Sequence, residues 1–102
     1  MNTLHTVNKS PFERNSLNSC LRLAAAESSI LLFEDGVYAA LQGTEFSETI
    51  QTALAKHSIY VLLPDLQARG MSLEQVIVGV QAVDYAGFVD LTTTHYPIQA
   101  WL

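Results

Sequence analysis

One thiol, three imidazoles and ten scattered carboxylates are the groups in this chain that could do chemistry. Cys20 is the only cysteine. A thiolate can attack a donor sulfur, hold it as R–S–S⁻, and release the outer sulfur to the next thiolate. Cys20 is therefore the candidate catalytic residue. It also reads as a core residue. Leu17, Cys20, Leu21 and Ala24 share one stripe at helical spacing, and cysteine is among the most buried residue types. The thiol would sit mid-helix, about two turns past the cap, where the helix dipole helps little. No Lys or Arg stands three or four residues away. The residues alone leave both readings open. The local charge favours function: residues 1–22 hold Lys9, Arg14 and Arg22 against Glu13 alone.

The other polar groups carry less. Glu34, Asp35, Asp65 and Asp84 follow predicted strands, at the edge where open α/β sheets bind ligands. An Asp before a helix is an ordinary N-cap, and carboxylates beside a thiol would raise its pKa, so no catalysis is assigned to them. His5, His57 and His95 lack metal-ligand spacing. His5 falls in a predicted central strand, where a buried, hydrogen-bonded ring is expected. The five glycines never form a dinucleotide or P-loop pattern. No metal and no cofactor is expected.

Strand-like and helix-like stretches alternate from end to end. Strands are predicted at Leu4–Val7, Ile30–Phe33, Ile59–Leu63, within Val76–Val83, and at Ile98–Trp101. Ser10-Pro11-Phe12-Glu13 matches a capping box and predicts a helix running to about Glu27. Further helical segments are predicted at Val37–Leu41, Ser47–Ala55, Leu66–Arg69 (closed by Gly70) and Tyr85–Thr94 (capped by Asp84), with a short turn or helix over Ser72–Gln75. This rhythm implies right-handed crossovers and one α/β domain over 1–102. The architecture would be a three-layer α/β/α sandwich with a mostly parallel five-stranded sheet.

Composition adds a constraint. Of 102 residues, 49% are apolar and only 15% charged, against about 25% charged in an average domain. Some apolar surface should therefore face another subunit. The apolar end Ile98-Gln99-Ala100-Trp101-Leu102 reads either as a last core strand or as a subunit contact. The net charge of −5 argues against direct nucleic-acid binding. No stretch is long and apolar enough for a membrane span, and the start lacks the pattern of a signal peptide. A lone free thiol suits a reducing compartment, so a cytoplasmic location is expected.

Several segments together carry a resemblance. They are Leu4-His5-Thr6-Val7-Asn8-Lys9-Ser10-Pro11-Phe12, Leu31 through Leu41 (LLFEDGVYAAL), Tyr60-Val61-Leu62 with Pro64 through Gly70 (PDLQARG), Val83 through Thr92 (VDYAGFVDLT), and Gln99-Ala100-Trp101. In this order and spacing the chain resembles the DsrH/TusB family over nearly its whole length. The resemblance implies a DsrE-like fold. It also implies assembly with DsrE-like and DsrF-like paralogous subunits as a dimer of heterotrimers. Such a complex relays persulfide sulfur to a small DsrC-like or TusE-like acceptor. The DsrH branch serves intracellular sulfur oxidation and the TusB branch serves 2-thiolation of the tRNA wobble uridine. Cys20 and the Asn8–Arg14 wording lean toward DsrH, because TusB-like members often lack that cysteine. In either branch the chain would be a sulfur carrier through Cys20 or a purely structural subunit. A stand-alone receiver-like or flavodoxin-like domain fits poorly: Asn8-Lys9 stand after the first strand, where a receiver needs acids.

Overall fold

The computed structural model describes residues 2–102. Five strands form one sheet: β1 (Leu4–Val7), β2 (Ser29–Leu32), β3 (Ser58–Leu62), β4 (Gln81–Val83) and β5 (Ile98–Trp101). Their order is β4-β3-β2-β1-β5, and all four pairings are parallel. Both β1 and β2 are buried along their whole length. That explains the apolar run Ile30-Leu31-Leu32 in β2, since a parallel strand is covered on both faces.

Four α-helices connect the strands: α1 (Ser16–Leu23), α2 (Ser47–Ala53), α3 (Leu63–Ala68) and α4 (Tyr85–Thr94). Two 3-10 segments, Glu34–Ala40 and Leu73–Gln75, complete the crossovers. The expected α/β/α sandwich is present, with unequal layers. On one face Val7, Ile30, Leu32, Ile59 and Val61 pack with Leu17 and Cys20 of α1, Ile50 of α2 and Leu66 of α3. On the other, Leu4 and Leu31 pack with Leu91 of α4, flanked by Tyr60, Val83 and Phe88. One helix covers the second face.

Local signals explain most boundaries. Asp84 Oδ1 accepts from Gly87 N at 2.8 Å and caps α4. At the end of α3, Gly70 takes φ +77 while its N–H reaches Gln67 O and that of Met71 reaches Leu66 O. This pair of bonds is a Schellman closure, and it needs the left-handed conformation that glycine allows. Ser72 and Gln75 form a reciprocal capping box on the second 3-10 segment.

The first helix departs from expectation at both ends. The Ser10–Glu13 box does not start it. Ser10 Oγ accepts from Phe12 N at 3.2 Å, and Glu13 N and Arg14 N both donate to Ser10 O. A single turn forms, and α1 begins only at Ser16. Residues 12–15 are all exposed, with Phe12 meeting only Phe46 edge to face, so no buried face supports a longer helix. The helix ends at Leu23 rather than Glu27. Residues 25–27 are also exposed, and Glu27, at φ +69, donates its N–H to Lys56 O.

Candidate functional site

Cys20 sits one turn after Leu17 on the buried face of α1. Its side chain is fully enclosed by the apolar layer that also holds Val7, Ile30 and Val37. Desolvation pushes the thiol up from an ordinary 9.0 to about 12. No opposite charge offsets that burial. Arg22, on the last turn, is exposed and turned away from this layer. Nucleophilic attack needs a thiolate with access to its partner, and this position supplies neither.

The histidines are accounted for by internal bonds. His5, buried in β1, accepts from Trp101 Nε1 through Nδ1 at 3.1 Å. Its proton therefore sits on Nε2 in the neutral ring. Burial first, then nearby His57, lowers its pKa. His57 is buried with Nδ1 3.1 Å from Ser28 O and 3.2 Å from Ser28 Oγ. His95 donates from Nδ1 to Leu91 O at 2.8 Å and accepts at Nε2 from Ser29 Oγ at 2.9 Å. Among the described residues no three His, Cys, Asp or Glu side chains converge as metal ligands.

The carboxyl edge of the sheet gathers a polar cluster from three loops. Asn8 follows β1, Glu34 and Asp35 follow β2, and Asp65 and Arg69 lie in and just after α3, which follows β3. Asn8 Nδ2 donates to Glu34 Oε1 at 3.2 Å. Glu34 N, held at φ +47, donates to Asp65 Oδ2 at 2.6 Å. Arg69 donates through Nε and Nη2 to Asp35 Oδ1 at 3.0 and 2.9 Å, and through Nη1 to Asp65 O at 2.9 Å. Asn8 Oδ1 is buried and is the one such side-chain atom, among the described residues, with no hydrogen-bond partner. The sequence points to the three acids but not to Asn8 or Arg69. The only available signal is the Asp65–Arg69 spacing of four. Asp84 is an N-cap, as expected. Asp65 instead serves the neighbouring loop. The cluster ties loops together and presents no nucleophile.

Two further features complete the surface. A cavity of about 480 Å³ lies beside α2, lined by Leu21, Glu48, Thr52, Lys56 and His57 among others. Trp101 is half-buried against the larger apolar layer. Among the described residues no helix is long and apolar enough to cross a membrane.

Comparison with known proteins places the chain. A family model described as "DsrH like protein" matches residues 9–97. Curated relatives named Protein TusB align almost end to end. Those of Erwinia tasmaniensis and Yersinia pestis are 41% identical over 98 and 99 residues, and that of Shigella flexneri is 37% identical over 98. Each alignment covers 96% of this chain and 99% of the relative. Among solved structures, the ychN protein of E. coli superposes with a TM-score of 0.83 at 20% identity, covering 98% of this chain and 99% of that one. A Methanobacterium thermoautotrophicum protein of unknown function gives 0.75 at 16% identity, covering 97% of both chains. These two likenesses establish the shared fold. Matched by the family model over most of its length and by TusB proteins from end to end, the chain belongs to the DsrH-like family.

Proposed function

We propose that this chain is a TusB-type subunit of a cytoplasmic sulfur relay serving 2-thiolation of the tRNA wobble uridine. In this reading it works inside a hetero-oligomer with DsrE-like and DsrF-like paralogues and helps to seat a TusE/DsrC-like acceptor. The carrying observation is the near end-to-end match to TusB proteins at 41% identity. The lean toward the sulfur-oxidising DsrH branch rests on Cys20 and on the Asn8–Arg14 segment. A thiol enclosed in the core loses that diagnostic weight.

The chemistry of the relay sets what Cys20 would have to do. An acceptor thiolate attacks the outer sulfur of a donor persulfide. The S–S bond breaks, its electron pair stays on the donor sulfur as a thiolate, and the sulfane sulfur becomes the acceptor's persulfide. No external oxidant or reductant enters. Each station needs an ionised, reachable thiol. Cys20, enclosed and held protonated at neutral pH, suits the core role. Sulfur transfer then belongs to a partner's cysteine, and this chain shapes the assembly. The low charged fraction and exposed apolar side chains support that division.

The test is complementation of a bacterial strain lacking its own TusB, with 2-thiouridine in bulk tRNA read by mass spectrometry. Wild type and Cys20→Ala should both restore the modified nucleoside. Failure of the folded wild-type chain to restore it would refute the relay assignment. Restoration by wild type but not by a folded Cys20→Ala chain would return the carrier role to Cys20.

A further inference from the structure

Among the described residues β5 is an edge strand, paired only with β1. In a parallel ladder alternate residues turn both backbone groups toward the neighbouring strand. Pro97 O accepts from Leu4 N at 3.0 Å, and Leu4 is in register with Ile98. This sets the parity. Gln99 and Trp101 turn their N–H and C=O groups toward β1, and Ile98 and Ala100 turn theirs outward. Ile98, Gln99 and Ala100 are all exposed. Such an edge is a template for another strand, and soluble proteins usually blunt it with charge, proline or a bulge. From Leu91 to Leu102 there is no Asp, Glu, Lys or Arg, and none of Ile98 to Leu102 is proline.

The side chains beside the edge are apolar as well. Ile98 is in register with Leu4, which belongs to the layer under α4, whereas Trp101 packs in the opposite layer. Strand alternation therefore places Ile98 and Ala100 on the α4 side. Nine large hydrophobic side chains are exposed among the described residues. Three of them, Tyr96, Ile98 and Leu102, lie in β5 or within two residues of it.

We propose that β5 pairs antiparallel with β5 of a second copy of this chain across a two-fold axis, joining two five-stranded sheets into one of ten strands. A second copy fits because the edge complements its own inverse. The outward donors and acceptors of Ile98 and Ala100 meet the same set reversed, and a charge-free strand meets no like charge. An axis normal to the sheet puts both α4 layers on the same side, so the apolar side chains beside the seam extend the contact. A standard interface takes about 800 Å² from each partner, roughly a seventh of this chain's 5624 Å² of accessible surface. Four strand residues cannot supply that area alone, and the exposed Tyr96 and Leu102 flanking β5 add to it. The pairing is independent of the sulfur-relay reading.

Sedimentation of the full chain from low micromolar to about 100 µM tests it. Wild type should run as a dimer at the upper end. Ala100→Pro removes an outward N–H without touching the ladder to β1, and Ile98→Lys places a charge on the seam. Both should run as monomers with native circular dichroism. Val78→Lys, on a residue 88% exposed beside the opposite edge strand β4, should stay dimeric. Amide exchange at Ile98 and Ala100 should slow at least tenfold on association. A wild-type chain monomeric throughout would overturn the proposal. So would a dimer that survives Ile98→Lys, the variant that decides the matter if Ala100→Pro does not fold.

Discussion

Native protein treated with iodoacetamide at pH 8 should leave Cys20 almost unmodified, and the magnitude can be worked from its surroundings. An ordinary thiol at 9.0 is about one-tenth ionised at that pH, while one pushed up to about 12 is ionised in roughly one molecule in ten thousand. Burial therefore removes about a thousandfold of nucleophile before access is considered. The side chain is also fully enclosed, so the faster route runs through opening of the fold. A domain of this size is stable by roughly 5 kcal/mol at the low end, which makes the open fraction about 10⁻⁴. Native-state alkylation should then proceed about 10⁴-fold more slowly than in denaturant. It should accelerate with urea in step with unfolding. Mass spectrometry of intact protein over time supplies both rates. A native rate within tenfold of the denatured rate would mean that α1 exposes its thiol without unfolding, and the core assignment of Cys20 would fall with it.

Because the Cys20 thiol is raised in the folded state, its stabilising effect is complete below about pH 9 and is lost as pH rises toward about 12. The slope should be about 1.4 kcal/mol per pH unit, measured by urea unfolding, and Cys20→Ala should remove that component. A Cβ at Gly36 would press against the Val7 carbonyl, with Val7 C at 3.0 Å, and Val7 O already accepts from Phe33 N at 3.1 Å. Gly36→Ala should cost about 2–3 kcal/mol. Thermal unfolding should then begin roughly 10–20 °C lower, and an unchanged Tm would show that the loop yields freely.

The fold was legible because its signals are local and agree with one another. The runs Ile30-Leu31-Leu32 and Ile59-Tyr60-Val61-Leu62 are apolar without alternation, which only a doubly covered strand accommodates. Asp84 and Gly70 mark helix ends through their own chemistry, and both perform as expected. The first helix failed because a capping box states only that a turn can start. Whether the turn propagates depends on a buried face, and residues 12–15 have none. The exposed Ala25 and Ala26, good helix formers in isolation, fail at the other end for the same reason. Propensity proposed a helix, and packing trimmed it.

The site was harder to read because its parts lie far apart in the chain. Asn8, Glu34 and Arg69 meet only because β1, β2 and β3 are adjacent and parallel, which brings three loops to one edge of the sheet. A one-dimensional reading sees the acids and misses the amide and guanidinium that partner them. Cys20 is the opposite case. Its stripe with Leu17 and Leu21 already contains the information that it packs inward, and the missing cation at helical spacing already denies it a stabilised thiolate. The weight toward function comes from a basic N-terminal segment and from the family resemblance. Yet Arg22, the nearest of those bases in sequence, points to solvent and lends the thiol nothing. Charge along a chain bears on a buried group only where the fold brings the two together. Here α1 turns its apolar stripe inward and its arginine outward. The one thiol of the chain is therefore enclosed in packing, and the proposed relay places its transfer step on a neighbouring subunit's thiol.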